Sequence, residues 1–431
     1  MLTRGRKKAQ LMANKTTELP DEIVCYILSL LPTKLAFATA ILSKRLTSLC
    51  HSYTSSLRFY HDEGDEYAFR RSLQFVNSVL LFPREQHYHP SIKDLVIFLK
   101  PTRRGGPYPA NEWLEVANRH PIESMDLDLP YMPNYILSTK MFSCRTLVVL
   151  KLSNARNNTR EIGNFSTVDL PSLKTLHLSW VNFGSCDRFQ NLLFGAPILE
   201  DLYVSCIDGK IPFHRKGAKL LPELLKLHFD SYSDPIKELQ KAKEEYPRFL
   251  NYIPSIVFPD LIHIELNFLP YESWNRVLQV LGYCPKIQHL VIRKGNYRVY
   301  RYNEKLTYSE DVPECVLSHL RTCFIGTLSQ ENYEDDLRFV AYVMKNAKFL
   351  QALTLCPCAL LPNQESYVLK KIVSLPRVSS ACKVSLSNCK LSGCNCGFNS
   401  TIECKRRHES VCWRTKGSFL DPRKFYALNA S

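Results

Sequence analysis

A short apolar phrase, hydrophobic-x-x-hydrophobic-x-hydrophobic, returns ten times along this chain, and self-similarity on that scale leaves few folds open to it. The instances are Ile92/Leu95/Ile97, Ile122/Met125/Leu127, Leu147/Leu150/Leu152, Leu173/Leu176/Leu178, Leu199/Leu202/Val204, Leu224/Leu227/Phe229, Leu261/Ile264/Leu266, Ile287/Leu290/Ile292, Leu320/Cys323/Ile325 and Leu350/Leu353/Leu355, with first residues 25 to 37 apart. The alternating end of each phrase reads as a short strand with one apolar face. No single repeat can bury that face alone, so the expected fold is a stack of parallel strands with helices between them, closing one continuous core. Prolines recur just before the phrase, at Pro171, Pro197, Pro222, Pro259 and Pro285, and the expectation is that they stand at strand entrances, where no ladder donor is needed.

Because side chains alternate along a strand, the x positions of the phrase face away from the core onto the concave sheet. Read down the stack, the central x positions are Val96, Asp126, Lys151, His177, Tyr203, His228, Glu265, Val291, Phe324 and Thr354. Thr175, Asp201, Lys226, Asp230, His263, Asn267, His289 and Arg293 flank them. Histidines, a tyrosine and mixed charge suit recognition of a protein partner or small ligand. Lys151, His177, Tyr203, His228, Glu265 and His289 are the candidate substrate-binding residues.

Between Glu18 and Leu57 the apolar spacing turns helical and is broken into three short helices. Pro20 sits near a first turn with Asp21 and Glu22 at the positive helix end, and Ile23, Ile27, Leu28 and Leu31 share one face until Pro32. Thr33 can cap a second turn carrying Leu35, Ala38, Ile41 and Leu42; Ser43 can cap a third carrying Leu46 and Leu49. About 40 residues are too few to be stable on a core of their own, so a partner or the rest of the chain must cover an apolar face here.

The segments Leu19-Pro20-Asp21-Glu22-Ile23, Ile27-Leu28-Ser29-Leu30-Leu31-Pro32-Thr33-Lys34 and Leu42-Ser43-Lys44-Arg45 closely resemble the F-box in the form common in plant proteins. The sequence departs from that family at Leu46 and Cys50, where tryptophans are usual. The resemblance implies docking onto the Skp-type adaptor of a cullin-based ubiquitin ligase through Leu19, Pro20, Ile23, Ile27, Leu28, Leu31 and Pro32. The phrase matches leucine-rich repeats, but the Asn or Cys that should follow each strand is replaced by Ala155, Val181, Ile207 and Tyr232, so the repeats are expected to be irregular. Residues 311–355 read as strand, helix and strand, with Leu337, Val340, Ala341, Met344 and Ala347 as the inner helix stripe. This stretch resembles the FBD domain, and Leu375-Pro376-Arg377-Val378-Ser379-Ser380-Ala381-Cys382 looks like its end.

The expected chain is therefore α/β in class. It has a basic tail over 1–16, an F-box over 17–60, a linker with a first helical segment over 61–90, an irregular leucine-rich-repeat solenoid over 91–310, an FBD-like cap over 311–386 and a Cys-rich basic tail over 387–431.

The formal net charge of +15 invites a nucleic-acid reading. Much of the excess is in the tails, four charges from Arg4, Arg6, Lys7 and Lys8 and a net four from the segment containing Lys405, Arg406, Arg407, Arg414, Lys416, Arg423 and Lys424, so nucleic acid is not an expected partner. No run approaches the roughly 18 apolar residues of a membrane span, and the first residues lack the apolar core of a secretory signal. These features predict a cytoplasmic or nuclear protein in which the 16 cysteines are free thiols. Cys404, His408 and Cys412 recur every four residues, but no C-x-x-C pair is present and no metal site is expected. Phosphate-cradling, zincin and nucleophile-elbow motifs are absent, so neither catalysis nor a cofactor is expected. The rival to a substrate-recognition subunit is a scaffold or decoy whose F-box has lost the adaptor.

Overall fold

The computed structural model describes residues 19–53, 55–61, 65–81, 92–99, 109–129, 138–153, 160–161, 167–183, 186–205, 221–230, 258–268, 274–294, 311–326, 328, 333–357, 360 and 362–386. They fall into two compact units, 1–177 and 178–431, each taken by itself.

The first unit opens with helices α1 (Asp21–Ser29), α2 (Thr33–Ala40) and α3 (Lys44–Tyr53). Asp21 and Glu22 lie in the first turn of α1, where carboxylates complement the positive helix end. Ser43 caps α3, its Oγ accepting from the Leu46 N–H at 3.1 Å. The three helices share a small buried stripe. Val24 and Leu28 point inward from α1, Ala36 and Phe37 from α2, and Leu46, Leu49 and Cys50 from α3, whereas Ile23, Ile27, Leu35, Ile41 and Leu42 remain exposed. Both stripes of α1 are apolar, and packing of α1 and α2 against α3 selects the one that turns inward. Thr33 departs from expectation: its hydroxyl caps no helix but accepts the Arg58 N–H at 2.9 Å.

Arg58 belongs to β1 (Ser56–His61), which alternates exposed and buried and pairs in parallel with β2 (Asp94–Leu99). Between them runs α4 (Glu66–Leu80), capped by Asp65, whose carboxylate accepts the Ala68 N–H at 2.7 Å. Phe75 on α4 meets Phe37 and Phe59 edge-on, at 6.2 and 5.6 Å between ring centroids, and so joins the three-helix segment to the first strand. After α5 (Ala110–Ala117) come β3 (Ser124–Asp128) and β4 (Val149–Ser153), giving the parallel order β1-β2-β3-β4. Trp113 of α5 is fully buried, and its indole N–H donates to Asn77 of α4 at 2.7 Å. The unit boundary falls within β5 (Thr175–Ser179).

The second unit contains α6 (Cys186–Phe194) and then the parallel strands β6 (Asp201–Ser205), β7 (Lys226–Asp230), β8 (His263–Phe268), β9 (His289–Lys294), β10 (Thr322–Gly326), β11 (Ala352–Leu355) and β12 (Lys383–Leu386), in that order. Helices α7 (Trp274–Gly282), α8 (Glu314–Ser318), α9 (Tyr333–Asn346) and α10 (Pro362–Ser374) connect the later strands, with α9 against α7, α8 and α10. The strand-helix-strand reading of 311–355 holds, but α9 buries more than its expected stripe. Phe339, Tyr342 and Val343 are buried as well, and so is Asp336, which accepts the Trp274 indole N–H at 3.0 Å. Trp274 stacks on Phe339 with ring centroids 3.9 Å apart. The chain then closes over the last phrase: the Val378 N–H donates to the Met344 carbonyl at 3.1 Å, the Ser379 hydroxyl to the Leu350 carbonyl at 2.6 Å and the Lys383 N–H to the Gln351 carbonyl at 2.9 Å.

Every one of the ten phrases forms a strand, β2 to β11, and its two alternating apolar residues are buried. The first residue of the phrase does something else. In several repeats it closes a turn, its N–H donating three residues back, as in Leu147 to Cys144 (3.2 Å), Leu173 to Leu170 (3.2 Å), Leu199 to Ala196 (3.3 Å) and Leu224 to Leu221 (3.2 Å). Pro171, Pro197 and Pro222 thus stand at the second position of a β-turn, which a fixed φ favours, and not at the strand entrance itself. The carbonyl before one strand then accepts two successive N–H groups of the next, as Glu123 does from Val148 and Val149, Leu225 from Ile262 and His263, and Gln288 from Arg321 and Thr322. No helix among the described residues is long and apolar enough to cross a membrane.

Candidate functional site

Two surfaces stand out, one in each unit. On the first, Leu19, Ile23, Tyr26, Ile27 and Leu30 from α1 and its flanks, with Leu35, Ile41 and Leu42 from and after α2, are exposed apolar side chains on a segment of some two dozen residues. Ile23 is 47% exposed, Ile27 45% and Ile41 87%. Scattered surface leucines are ordinary, but this many on one short helical segment mark an interaction face. Among the seven residues expected to meet an adaptor, Leu19, Pro20, Ile23, Ile27 and Pro32 are exposed and Leu31 is half-buried. Leu28 differs: at 5% exposure it packs inside the three-helix segment and supports the face from behind. Leu46 and Cys50 also point inward, and the Cys50 thiol donates to the Ala36 carbonyl at 3.2 Å. Burial pushes that thiol up to about 11. Arg45 ties the segment together, its Nε donating to Asp21 at 3.0 Å and its Nη2 to the Leu19 carbonyl at 2.6 Å.

The second surface is the sheet face of β6 to β10 opposite the core. Strand register aligns Tyr203, His228, Glu265, Val291 and Phe324 as one row, so the central x positions do share a face. Tyr203 stacks on the His228 ring at 4.3 Å. His228 Nδ1 lies 3.2 Å from the Glu265 carboxylate, whose other oxygen is paired with Arg293. Arg293 in turn holds its guanidinium 5.5 Å from the centre of the Phe324 ring, a cation–π contact. Asn267 lies between the two basic side chains. Its Oδ1 accepts from Arg293 at 3.5 Å, which turns its amide N–H toward His228 Nε2 at 3.4 Å. The result is a nearly buried carboxylate held between two basic side chains, each lying on an aromatic ring.

Gly326 is the part that sequence reasoning missed. A Cβ there would stand 2.9 Å from Phe324 Cε1 and 3.2 Å from Arg293 Cγ, so any side chain would force the Phe324 ring to shift and Arg293 to give by a few tenths of an ångström. The available signal is a glycine directly after the last apolar residue of a phrase, at the end of its strand, where it marks a close approach.

One row toward the strand starts, Lys226, His263, His289 and Thr322 lie in register. His289 Nδ1 is 2.9 Å from the Thr322 hydroxyl. Burial holds His263 down at about 4, helped by the nearby His289, Lys226, His228 and Arg293. His263 is neutral in the fold at pH 6 but protonated in the unfolded chain below about 6.5, so stability falls as pH drops from about 6.5 toward 4. A urea midpoint that declines across that window in wild type, and declines less in His263→Gln, is the expected result; parallel declines would remove His263 as the cause.

Of the remaining candidates, Lys151 and His177 lie in the first unit and are half-buried, Lys151 in register with Asp126. Tyr203, His228, Glu265 and His289 are the ones brought together. Eight cysteines among the described residues are free, and Cys50, Cys284, Cys315, Cys323, Cys356 and Cys382 of these are buried as small apolar groups. No group of metal-ligating side chains occurs among the described residues, and Cys404, His408 and Cys412 lie outside them.

Comparison with known proteins bears on most of the chain. A family model described as FBD matches residues 309–355, spanning α8 to β11, and one described as "FBD-associated F-box protein At5g56370, LRR repeats" matches residues 110–225, from α5 to the turn before β7. Among similar proteins of Arabidopsis thaliana, the "Putative F-box/FBD/LRR-repeat protein At5g22670" is 24% identical over 85% of this chain and 96% of its own length. The "FBD-associated F-box protein At5g38590" is 28% identical over 80% of this chain and 72% of its own. The "F-box protein At4g09920" is 33% identical over 43% of this chain and 56% of its own.

Proposed function

The chain belongs to the plant F-box/FBD/leucine-rich-repeat family, and on that premise we propose that it is the substrate-recognition subunit of a Skp/cullin/F-box ubiquitin ligase. The observation that carries the reading is the exposed apolar face of α1 and α2, which docks the Skp-type adaptor through Leu19, Pro20, Ile23, Ile27, Leu31 and Pro32. The sheet face holding Tyr203, His228, Glu265 and His289 takes the target protein. The subunit does no chemistry of its own: binding both partners raises the target's effective concentration beside the ubiquitin-loading enzyme. The cytoplasm or nucleus suits its free, buried thiols.

A decoy reading starts from the missing tryptophans. Leu46 and Cys50 are buried within the helical segment, so these departures alter internal packing and leave the exposed face in place. For the same reason Leu46→Trp would overpack the segment, at a cost of about 1–3 kcal/mol, and would not report on adaptor contact. Co-purification of the full chain with a plant Skp-type adaptor tests the proposal. A stoichiometric complex on size exclusion at micromolar concentration is expected; no complex would leave the decoy reading standing.

A further inference from the structure

Independently of the ligase reading, we propose that the outer side of α10, together with the turn after α9, is a docking surface for an acidic segment of a partner protein. α10 is apolar on both sides. Val368 and Ile372 are buried, while Leu369 and Val373, one position on from each, are exposed, Val373 at 72%. A helix that is apolar all round belongs in an interior, yet α10 is the last helix among the described residues. The outermost helix of a stacked array needs a polar outer side unless something else covers it. The apolar surface also continues past the helix. Lys348 and Phe349 are the central residues of the turn that Leu350 closes onto Ala347, and Phe349 is 59% exposed. Val378, exposed too, is drawn to this turn by its own bond to Met344 and by that of Ser379 to Leu350. The surface is fixed in place, because Lys371 Nζ of α10 donates to Glu334 of α9 at 2.6 Å. Anchors already held in position lose little freedom on binding.

Charge complementarity selects the occupant. Lys348, Lys370 and Arg377 are exposed and adjoin Phe349, Leu369 and Val378 in sequence. No carboxylate among the described residues pairs with these three cations. On α9, Glu334 is engaged by Lys371 and Asp335 by Arg338. Glu365 lies in the first turn of α10, before Leu369, and bounds the apolar stripe. Apolar anchors beside free cations fit a segment that carries acidic side chains around apolar ones of its own. A second copy would set the same cations face to face. The chain's own C-terminal segment is basic as well, with Lys405, Arg406 and Arg407 in succession. An anionic membrane suits the cations but not the shape, since the apolar side chains come from a helix, a turn and a loop and not from one helix face that can sink between headgroups.

The test uses the full chain to select from a displayed library of random peptides, in parallel with Phe349→Asp/Val373→Asp. Both positions are exposed, so this variant should unfold at the same urea concentration as wild type. Peptides retained by wild type and lost with the variant are expected to be rich in Asp and Glu around Leu, Phe or Trp. The strongest of them, labelled with a fluorophore, should bind wild type saturably and bind Lys348→Glu/Arg377→Glu about tenfold more weakly, the difference shrinking at high salt. The charge-reversal pair keeps the test independent of the apolar substitutions. No peptide that separates wild type from the first variant, separating peptides without acidic enrichment, or unchanged affinity in Lys348→Glu/Arg377→Glu would each overturn the proposal. Sedimentation of wild type with phosphatidylcholine–phosphatidylserine vesicles, lost in Phe349→Asp/Val373→Asp, would overturn it in favour of a membrane. Adaptor binding through α1 and α2 is a separate readout, so failure here leaves the ligase reading standing.

Discussion

The Ile23→Asp/Ile27→Asp double variant is expected to lose the adaptor completely while unfolding at the same denaturant concentration as wild type. Both isoleucines are about half exposed, so replacing them costs the fold little, within the ±0.5 kcal/mol or so typical of surface positions. At an interface the balance reverses. Each isoleucine contributes about 1.5–3 kcal/mol of burial, and each new carboxylate would be desolvated without a partner. Together these exceed about 5 kcal/mol, more than a thousandfold in affinity. Leu28→Asp supplies the contrast. Leu28 is buried, so this change should unfold the helical segment and lower adaptor capture and stability together. Size exclusion with the adaptor, run beside a urea titration, separates the two outcomes. Retention of the complex by the double variant would move the docking face elsewhere.

Glu265→Leu is expected to cost the second unit about 3–5 kcal/mol, because it leaves Arg293 buried without its carboxylate. Side-chain exposure is 9% for Glu265 and 14% for Arg293, so water can compensate neither well. The penalty belongs to the orphaned charge and not to the pair. Glu265→Leu/Arg293→Met should therefore recover most of the loss, since an apolar pair of similar volume is often neutral. Urea midpoints of wild type, both single variants and the double variant give the coupling energy. A single Glu265→Leu effect under about 1 kcal/mol would show that the network is solvated and carries little.

These two sites mark opposite degrees of legibility. The strands of β2 to β11 could be read directly, since period-two alternation of large apolar residues is a local property that stacking only confirms. Two strands of the main sheet were missed for the same reason. In β1 the third inward residue is His61, which is polar, and β12 is short, with Val384 and Leu386 only half-buried, so neither completes the phrase. The central x row followed from alternation too, and parallel register then set Tyr203, His228 and Glu265 abreast.

Helix faces were harder. In α1 the stripes Ile23/Ile27 and Val24/Leu28 have the same spacing and nearly the same hydrophobicity, so periodicity could not say which faces solvent. Asp336 illustrates a second limit. A carboxylate in the first turn of α9 reads as an exposed helix-start residue, yet Trp274, 62 positions earlier, brings it the indole N–H that makes complete burial tolerable.

What this sequence by itself determined is the repeat: ten phrases, their parallel strands, the alternation that sends leucines inward and polar residues outward, and three helices at the start. Tertiary structure alone decided which apolar stripe of α1 stayed outside, that Gly326 leaves room for Phe324 and Arg293, and that Glu265 sits between Arg293 and His228. The physical reason is range. Alternation and turn chemistry act over a few residues and are written in order along the chain, whereas burial of a charge or choice of a face depends on groups that meet only after distant segments have packed.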